Sequence, residues 1–218
     1  MKADDLKHLA ALWLRARKPD AHILFEFSLA EYGGALIDVA AICEDEIIGV
    51  EIKGDGDSAS RLKLQGQMYP RVCRTVYLLP SPDLLKSCRT HLPPEWSLLL
   101  PLGGDDDNEW RLLQTCEETG IQYPKNGKAI DPSTLGRGEG LGLSPAALAA
   151  MVWTTEYTRL KIALDPMIGL PRRKADCIRY VAETYPLPKI ERAVCQVLRQ
   201  RDWGFKEVIK PMAAGALS

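Results

Sequence analysis

The chain contains no apolar run approaching the roughly 18 residues that a membrane-spanning helix requires, so no span is expected. It has no CxxC pair, and its three histidines, His8, His22 and His91, are scattered. A zinc site built from thiolates and imidazoles is therefore not expected. The six cysteines (Cys43, Cys73, Cys88, Cys116, Cys177 and Cys195) read as reduced, largely buried thiols rather than a disulfide framework. There is no internal repeat and no low-complexity tail, which argues against a solenoid or a disordered arm. The first residues, Met1 to Leu6, are acidic and lack the apolar core of a signal peptide, so a cytoplasmic protein is expected.

What is present suits a globular chain. Of its 218 residues, 46% are hydrophobic and 26% charged, enough for one large domain or two small ones. The net charge of −1 conceals an asymmetry: acidic residues predominate in 1–140 and basic residues in 141–218. That pattern suits a metal-binding half joined to a half that meets an anion. A solvated helical surface that happens to be basic would look the same.

Hydrophobic spacing predicts a helix over 4–18, with Leu6, Leu9, Ala10, Trp13 and Leu14 on one stripe. Strands are predicted at 23–29, 35–43 and 47–53, with Gly33-Gly34 allowing a turn before the second. A helix over 57–69 with Asp57 as its cap, a strand at 74–79, a helix at 82–90 and strands at 96–100 and 110–114 follow. Gly103 to Asn108 reads as a turn, and Asp105-Asp106-Asp107 as an exposed loop. Residues 115–143 have the composition of a linker, or of a lid. Beyond them the pattern is helical over 144–164, 172–184 and 188–201, with Pro145 at a first helical position. The glycines from Gly136 to Gly142 lack the strand–helix setting of a nucleotide loop.

The sharpest chemical feature is Asp38 followed by Glu51-Ile52-Lys53 on adjacent strands. If those strands form a hairpin across the two residues Glu44-Asp45, Asp38 lies opposite Glu51, and Asp38, Glu51 and Lys53 share one face. A three-residue loop would break that parity. Two opposed carboxylates among Leu36, Ile37, Val39, Ile48, Val50 and Ile52 repel, and a divalent cation relieves them. Hard oxygen ligands suit Mg2+ or Mn2+, with the Ile52 carbonyl as a further ligand. Lys53 could then orient the attacking water or stabilise developing charge. The bland alternative is an edge hairpin carrying a surface Glu–Lys pair.

The stretch IDVAAI…IIGVEIKGDGDSASRLKLQGQMYPRVCRTVYLL resembles the core of the PD-(D/E)XK nuclease superfamily, most nearly its short bacterial and phage nuclease-like proteins. The resemblance rests on Glu26, Gly33-Gly34, Asp38, Gly49-Val50-Glu51-Ile52-Lys53, Asp55-Gly56-Asp57, Arg61-Leu62, Gln65 and Tyr69, in order over 22–80. A weaker likeness lies in Met151-Val152-Trp153-Thr154-Thr155-Glu156, where Thr154 departs from the arginine common in that family. The resemblance implies catalytic roles for Glu26, Asp38, Glu51, Lys53 and Gln65, with Asp38, Glu51 and Ile52 as metal ligands. Gln65 would reach the site from the following helix, sharing a helix face with Arg61. Asp57 reads as a helix cap and Tyr69 as core packing.

Arg172, Arg173 and Lys174, with Arg179, Lys189, Arg192, Arg199 and Arg201, form a basic set on the C-terminal helices. Arg61, Arg172, Arg173 and Lys174 are the candidate nucleic-acid contacts, tracking phosphates with little sequence preference. Trp153, Trp203, Tyr157, Tyr180 and Tyr185 read as core rather than base-stacking platforms. The expected fold is α/β: a restriction-endonuclease-like mixed sheet with flanking helices at 1–115, a linker or lid at 116–140, and a helical region at 141–218 for nucleic acid or a partner. The crossover helix should make the 74–79 strand parallel to the Glu51 strand. The expected activity is Mg2+- or Mn2+-dependent phosphodiester hydrolysis, first in DNA, with RNA, a homodimer or a protein partner left open. The rival expectations are a non-catalytic nucleic-acid binder and a partner-activated subunit of a repair or defence complex.

Overall fold

The structure, a computed structural model, describes residues 1–29, 35–102, 111–114, 142–203 and 208–209. The expectations for Gly33-Gly34, the Gly103–Asn108 turn, Cys116, the 116–140 segment and the glycines from Gly136 to Gly140 lie outside those residues.

A first helix, α1 (Ala3–Arg17), precedes three strands, β1 (His22–Ser28), β2 (Leu36–Ile42) and β3 (Ile47–Lys53). A 3-10 turn (Ala59–Arg61) leads into α2 (Leu62–Met68), followed by β4 (Thr75–Pro80), α3 (Leu85–His91), β5 (Ser97–Leu102) and β6 (Arg111–Gln114). The C-terminal part carries α4 (Pro145–Ala150), α5 (Tyr157–Leu164), α6 (Lys174–Thr184), α7 (Leu187–Arg199) and a short β7 (Val208–Ile209). The protein is α/β: the strands form a mixed sheet in the order β6-β5-β4-β3-β2-β1-β7. β1, β2 and β3 form an antiparallel meander, while β3–β4 and β4–β5 are parallel. Each parallel step is made by a helical crossover through α2 or α3, as the geometry of parallel strands demands. No helix among the described residues is long and apolar enough to cross a membrane.

The two faces of the sheet are covered unequally. Among the described helices α1 alone lies on one face, and it buries Leu6, Ala10, Ala11 and Leu14 against Ile23, Val39, Ala41, Ile48, Val50 and Ile52. Each fully buried leucine or isoleucine contributes about 1.5–3 kcal/mol. The other face holds α2 to α7, whose Leu62, Cys88, Leu148, Leu160, Val181 and Val194 join Leu24, Ile42 and Ile47 of the sheet in one apolar cluster. The basic C-terminal helices therefore share a core with the strands. Arg74, just before β4, is bonded to Glu191 of α7, which is 1% exposed. β3 is buried along its whole length, as expected of a strand covered on both faces.

Several expectations need correction. The 57–69 helix is three pieces, and its first turn is 3-10 with Ser58 as cap, accepting the Ser60 amide. Asp57 instead closes a turn by accepting the Gly54 amide at 2.8 Å. The 144–164 helix breaks at Trp153, whose backbone is extended (φ −77°, ψ 153°). The carboxylate of Glu156 accepts the Trp153 amide at 2.9 Å, so a second helix is capped where a single one would have continued. Trp153 is 50% exposed rather than core. Cys43, Cys73, Cys88, Cys177 and Cys195 are all free thiols.

Candidate active site at the splayed end of the central hairpin

The β2–β3 hairpin turns over Glu44-Asp45, and the Cys43 amide donates to the Glu46 carbonyl at 2.9 Å. Pairing runs from Ile42–Ile47 to Val39–Val50, so the next position along the register sets Asp38 against Glu51. Regular pairing stops there. The Ile52 amide, instead of reaching a strand carbonyl, donates to Oδ2 of Asp38 at 2.8 Å. A residue's amide and carbonyl leave a strand on the same edge, so the Ile52 carbonyl also points toward β2 and Asp38.

Asp38 does not reach the site by simple alternation. On β1 and β2, Ile23, Phe25, Val39 and Ala41 pack on the α1 face, but Phe27 and Ile37, each two residues along, pack on the opposite face. The switch occurs at Glu26 and Asp38, which the β1–β2 register sets opposite one another. Glu26 has φ +52°, the sole positive value among described non-glycine residues. A non-glycine residue there is uncommon and strained by about 1–3 kcal/mol, a feature that clusters at functional sites. Both strands are thereby turned, and the Asp38 carboxylate lies toward the sheet plane against Ile52 rather than upright beside Glu51.

Lys7, on α1, bonds Glu26 and lies 3.8 Å from Oδ1 of Asp38. Burial works against its charge, but Glu26 and Asp38 outweigh that and hold its pKa above the ordinary lysine value. α1 can approach this strand end because residue 54 is glycine: a Cβ there would stand 2.5 Å from the Ala3 backbone nitrogen.

Glu51 and Lys53 lie on the face opposite α1, each 2% exposed, and their side chains are directly bonded. Gln65 of α2 donates to Oε1 of Glu51 at 2.6 Å, and the Tyr69 hydroxyl lies 2.8 Å from Oε2. Burial and the Glu51 charge push the Tyr69 phenol far up, so it stays protonated, its one proton shared between Oε2 of Glu51 and the Leu36 carbonyl at 2.5 Å. Tyr69 stacks on Trp96 with ring centroids 5.3 Å apart. Among the described residues the buried Gln65 carbonyl oxygen meets no hydrogen-bond partner. α2 is seated closely: a Cβ on Gly66 would meet the Pro93 ring at 2.6 Å.

These groups line one pocket of about 580 Å³, which includes Lys7, Glu26, Asp38, Glu51, Lys53 and Gln65. Arg61 stands exposed at its rim. Arg172, Arg173 and Lys174, at the start of α6, do not line it. Arg201 is not a surface cation: it is 8% exposed and bonded to both oxygens of Glu156, at 2.8 and 2.6 Å. Two site residues were not legible as such: Lys7, which has no local motif, and Tyr69, whose spacing from Gln65 signals a shared helix face but not its hydroxyl's target.

Burial first, then the charge of Glu51, pushes the Asp38 carboxyl up from 3.8 to about 7, against the Ile52 amide and Lys7, which favour its charged form. The sign of the consequence is unusual for a carboxylate. The folded protein holds the proton more tightly than the unfolded chain, so this contribution to stability is complete below about pH 4 and is lost as pH rises through 7. The side chain retains 22% exposure, and the loss is on the order of 2–4 kcal/mol. Thermal melts in EDTA between these limits should show Asp38→Asn gaining on wild type as pH rises. Parallel profiles would mean that Asp38 carries no such penalty.

Among the described residues no group of three or more His, Cys, Asp or Glu is gathered around one point for a metal ion. The oxygen set at the strand end is smaller: Asp38, Glu51 and the Ile52 carbonyl. Mg2+ is commonly held by one or two carboxylates with water completing its shell. Here Asp38 already accepts the Ile52 amide and Glu51 is engaged by Lys53, Gln65 and Tyr69, so a cation would displace some of these donors. An Asp38 carboxyl raised first by burial and then by the Glu51 charge is also what a bound cation would relieve. No family model, curated protein or solved structure matches this chain.

Proposed function

We propose that the protein is a metal-dependent nuclease of the PD-(D/E)XK type, on a restriction-endonuclease-like core, hydrolysing phosphodiester bonds in DNA. The observation that carries this reading is the convergence of Asp38, Glu51, Lys53 and Gln65 on one pocket from β2, β3 and α2. Asp38, Glu51 and the Ile52 carbonyl would hold Mg2+ or Mn2+. When bound, such a cation polarises the phosphodiester and lowers the pKa of water.

The chain's own residues then have definable tasks. Lys53 carries the cationic donor that stabilises charge developing on the phosphoryl oxygens. Gln65 donates its side-chain amide to Glu51 and to the Tyr69 hydroxyl, and so holds that carboxylate in place at the pocket floor. Tyr69 fixes the Glu51 carboxylate through its hydroxyl. Lys7 anchors Glu26 and neutralises part of the acidic cluster. Phosphate contacts along Arg61, and along Arg172, Arg173 and Lys174 if the strand extends that far, would supply binding energy.

One observation favours a second reading. Lys53, Gln65 and Tyr69 all engage Glu51, so its carboxylate is already supplied with donors. A non-catalytic nucleic-acid binder, or a subunit awaiting a partner, would keep that arrangement. The test is incubation of supercoiled plasmid and labelled single strands with Mg2+, Mn2+ or EDTA. Cutting that requires metal and is lost in Asp38→Asn is expected. Binding without cutting in either metal would favour the second reading.

A further inference from the structure

We infer that the pocket admits DNA as an unpaired strand, with a base against an apolar lip and its phosphate at the polar floor; this rests on the nuclease reading above. The lip is built by two elements. α2 and the turn before it present Arg61, Leu64, Gln65 and Met68 to the pocket, at the spacing of one helix face. The start of β2 presents Ala35 and Leu36. Leu64 is 57% exposed and Leu36 42%, whereas Glu51 and Lys53 below them are 2% exposed. The pocket thus runs from a mouth where two exposed leucines stand beside Asp57, Ser58 and Arg61 to a buried ionic floor.

That gradient discriminates between forms of DNA. A duplex is stiff, keeps its bases stacked inside and shows the surroundings mainly phosphates and sugar edges. It would meet Leu36 and Leu64 with groups that gain nothing there. Its phosphates would be held at the lip, above a Glu51–Lys53 pair that is only 2% exposed. An unpaired strand exposes base faces, which favour apolar and aromatic surfaces, and can bend a phosphate inward. The charge at the lip agrees. Arg61 is the sole exposed cation among the described residues lining the pocket, and Asp57, also exposed, is anionic. A clamp on both backbones of a duplex would need several cations. A single strand needs few at this point.

The experiment uses the whole chain and one labelled oligodeoxynucleotide, either alone or annealed to its full complement. Cleavage is read in Mn2+, and binding is read by fluorescence anisotropy with Ca2+ in place of Mn2+. The single strand should bind and be cut at least roughly tenfold better than the duplex. Leu64→Glu, at an exposed position that should not disturb folding, should raise KM for the single strand about tenfold with kcat little changed, and Leu64→Met should restore it. Equal binding and cutting of both forms would overturn the inference and leave the nuclease reading standing. A preference in binding with no cutting would retain the inference and remove the hydrolytic reading. Loss of kcat rather than KM in Leu64→Glu would also overturn it, since the leucine would then not be acting on substrate binding.

Discussion

Replacing Lys53 with methionine should, on the proposed nuclease reading, lower metal-dependent cleavage by roughly 10²–10³-fold, the usual cost of removing one donor that stabilises transition-state charge. The same change should also weaken the fold, and the two effects must be separated. Lys53 and Glu51 are a bonded pair, each 2% exposed. Removing one partner leaves a buried charge without its counter-ion, which costs about 3–5 kcal/mol. Gln65 and Tyr69 still donate to Glu51, so the lower end of that range applies. Adding Glu51→Gln to Lys53→Met removes the uncompensated charge. The double variant should recover most of the lost stability in a urea titration while remaining inactive. Full activity in Lys53→Met would remove the lysine from the chemistry. Activity that fell only as stability fell, and returned with it in the double variant, would make the pair a structural feature of the core.

The central hairpin was legible because its determinants are local. Two acidic residues, Glu44 and Asp45, leave room for one short turn, and the apolar runs on either side fix the register that sets Asp38 against Glu51. The parallel β3–β4 step followed in the same way from a helical segment between two strands. The faces were harder. β3 is buried at every position, so its pattern carries no alternation from which to tell the Glu51 face from the Ile52 face. The turn of β1 and β2 at Glu26 and Asp38 depends on a positive φ at a glutamate, which no propensity predicts. It explains why Lys7, on α1 and remote in sequence, reaches the same acids as a pocket on the other side of the sheet. Tyr69 read as core, and its ring is core, fully buried against Trp96; only its hydroxyl belongs to the site. The break at Trp153 came from a side-chain cap by Glu156, and β7 from a pairing with β1 that lies far off in sequence.

Arg201→Ala should destabilise the protein by about 3–5 kcal/mol, an effect confined to folding. The basic composition of the C-terminal helices makes Arg201 look like one more phosphate contact, but its surroundings contradict that. Its guanidinium grips Glu156 with two nitrogens and donates to the Met151 carbonyl at 2.7 Å. Its central carbon also stands over the rings of Trp153 and Trp203, 4.1 and 4.8 Å from their centroids. It therefore ties the end of α7 to the break between α4 and α5. Lysine can supply the charge but neither the paired donors nor the planar stack, so Arg201→Lys should recover only part of the loss. Arg172, exposed at the start of α6, provides the contrast. If the protein binds DNA as proposed, Arg172→Ala should leave the urea midpoint unchanged and lower the salt slope of that binding by about 1. Arg201→Ala, where it remains folded, should leave that slope as it is in wild type. The reverse pattern, a stable Arg201→Ala with a reduced slope, would return Arg201 to the surface and leave Glu156, 5% exposed, in need of another cation.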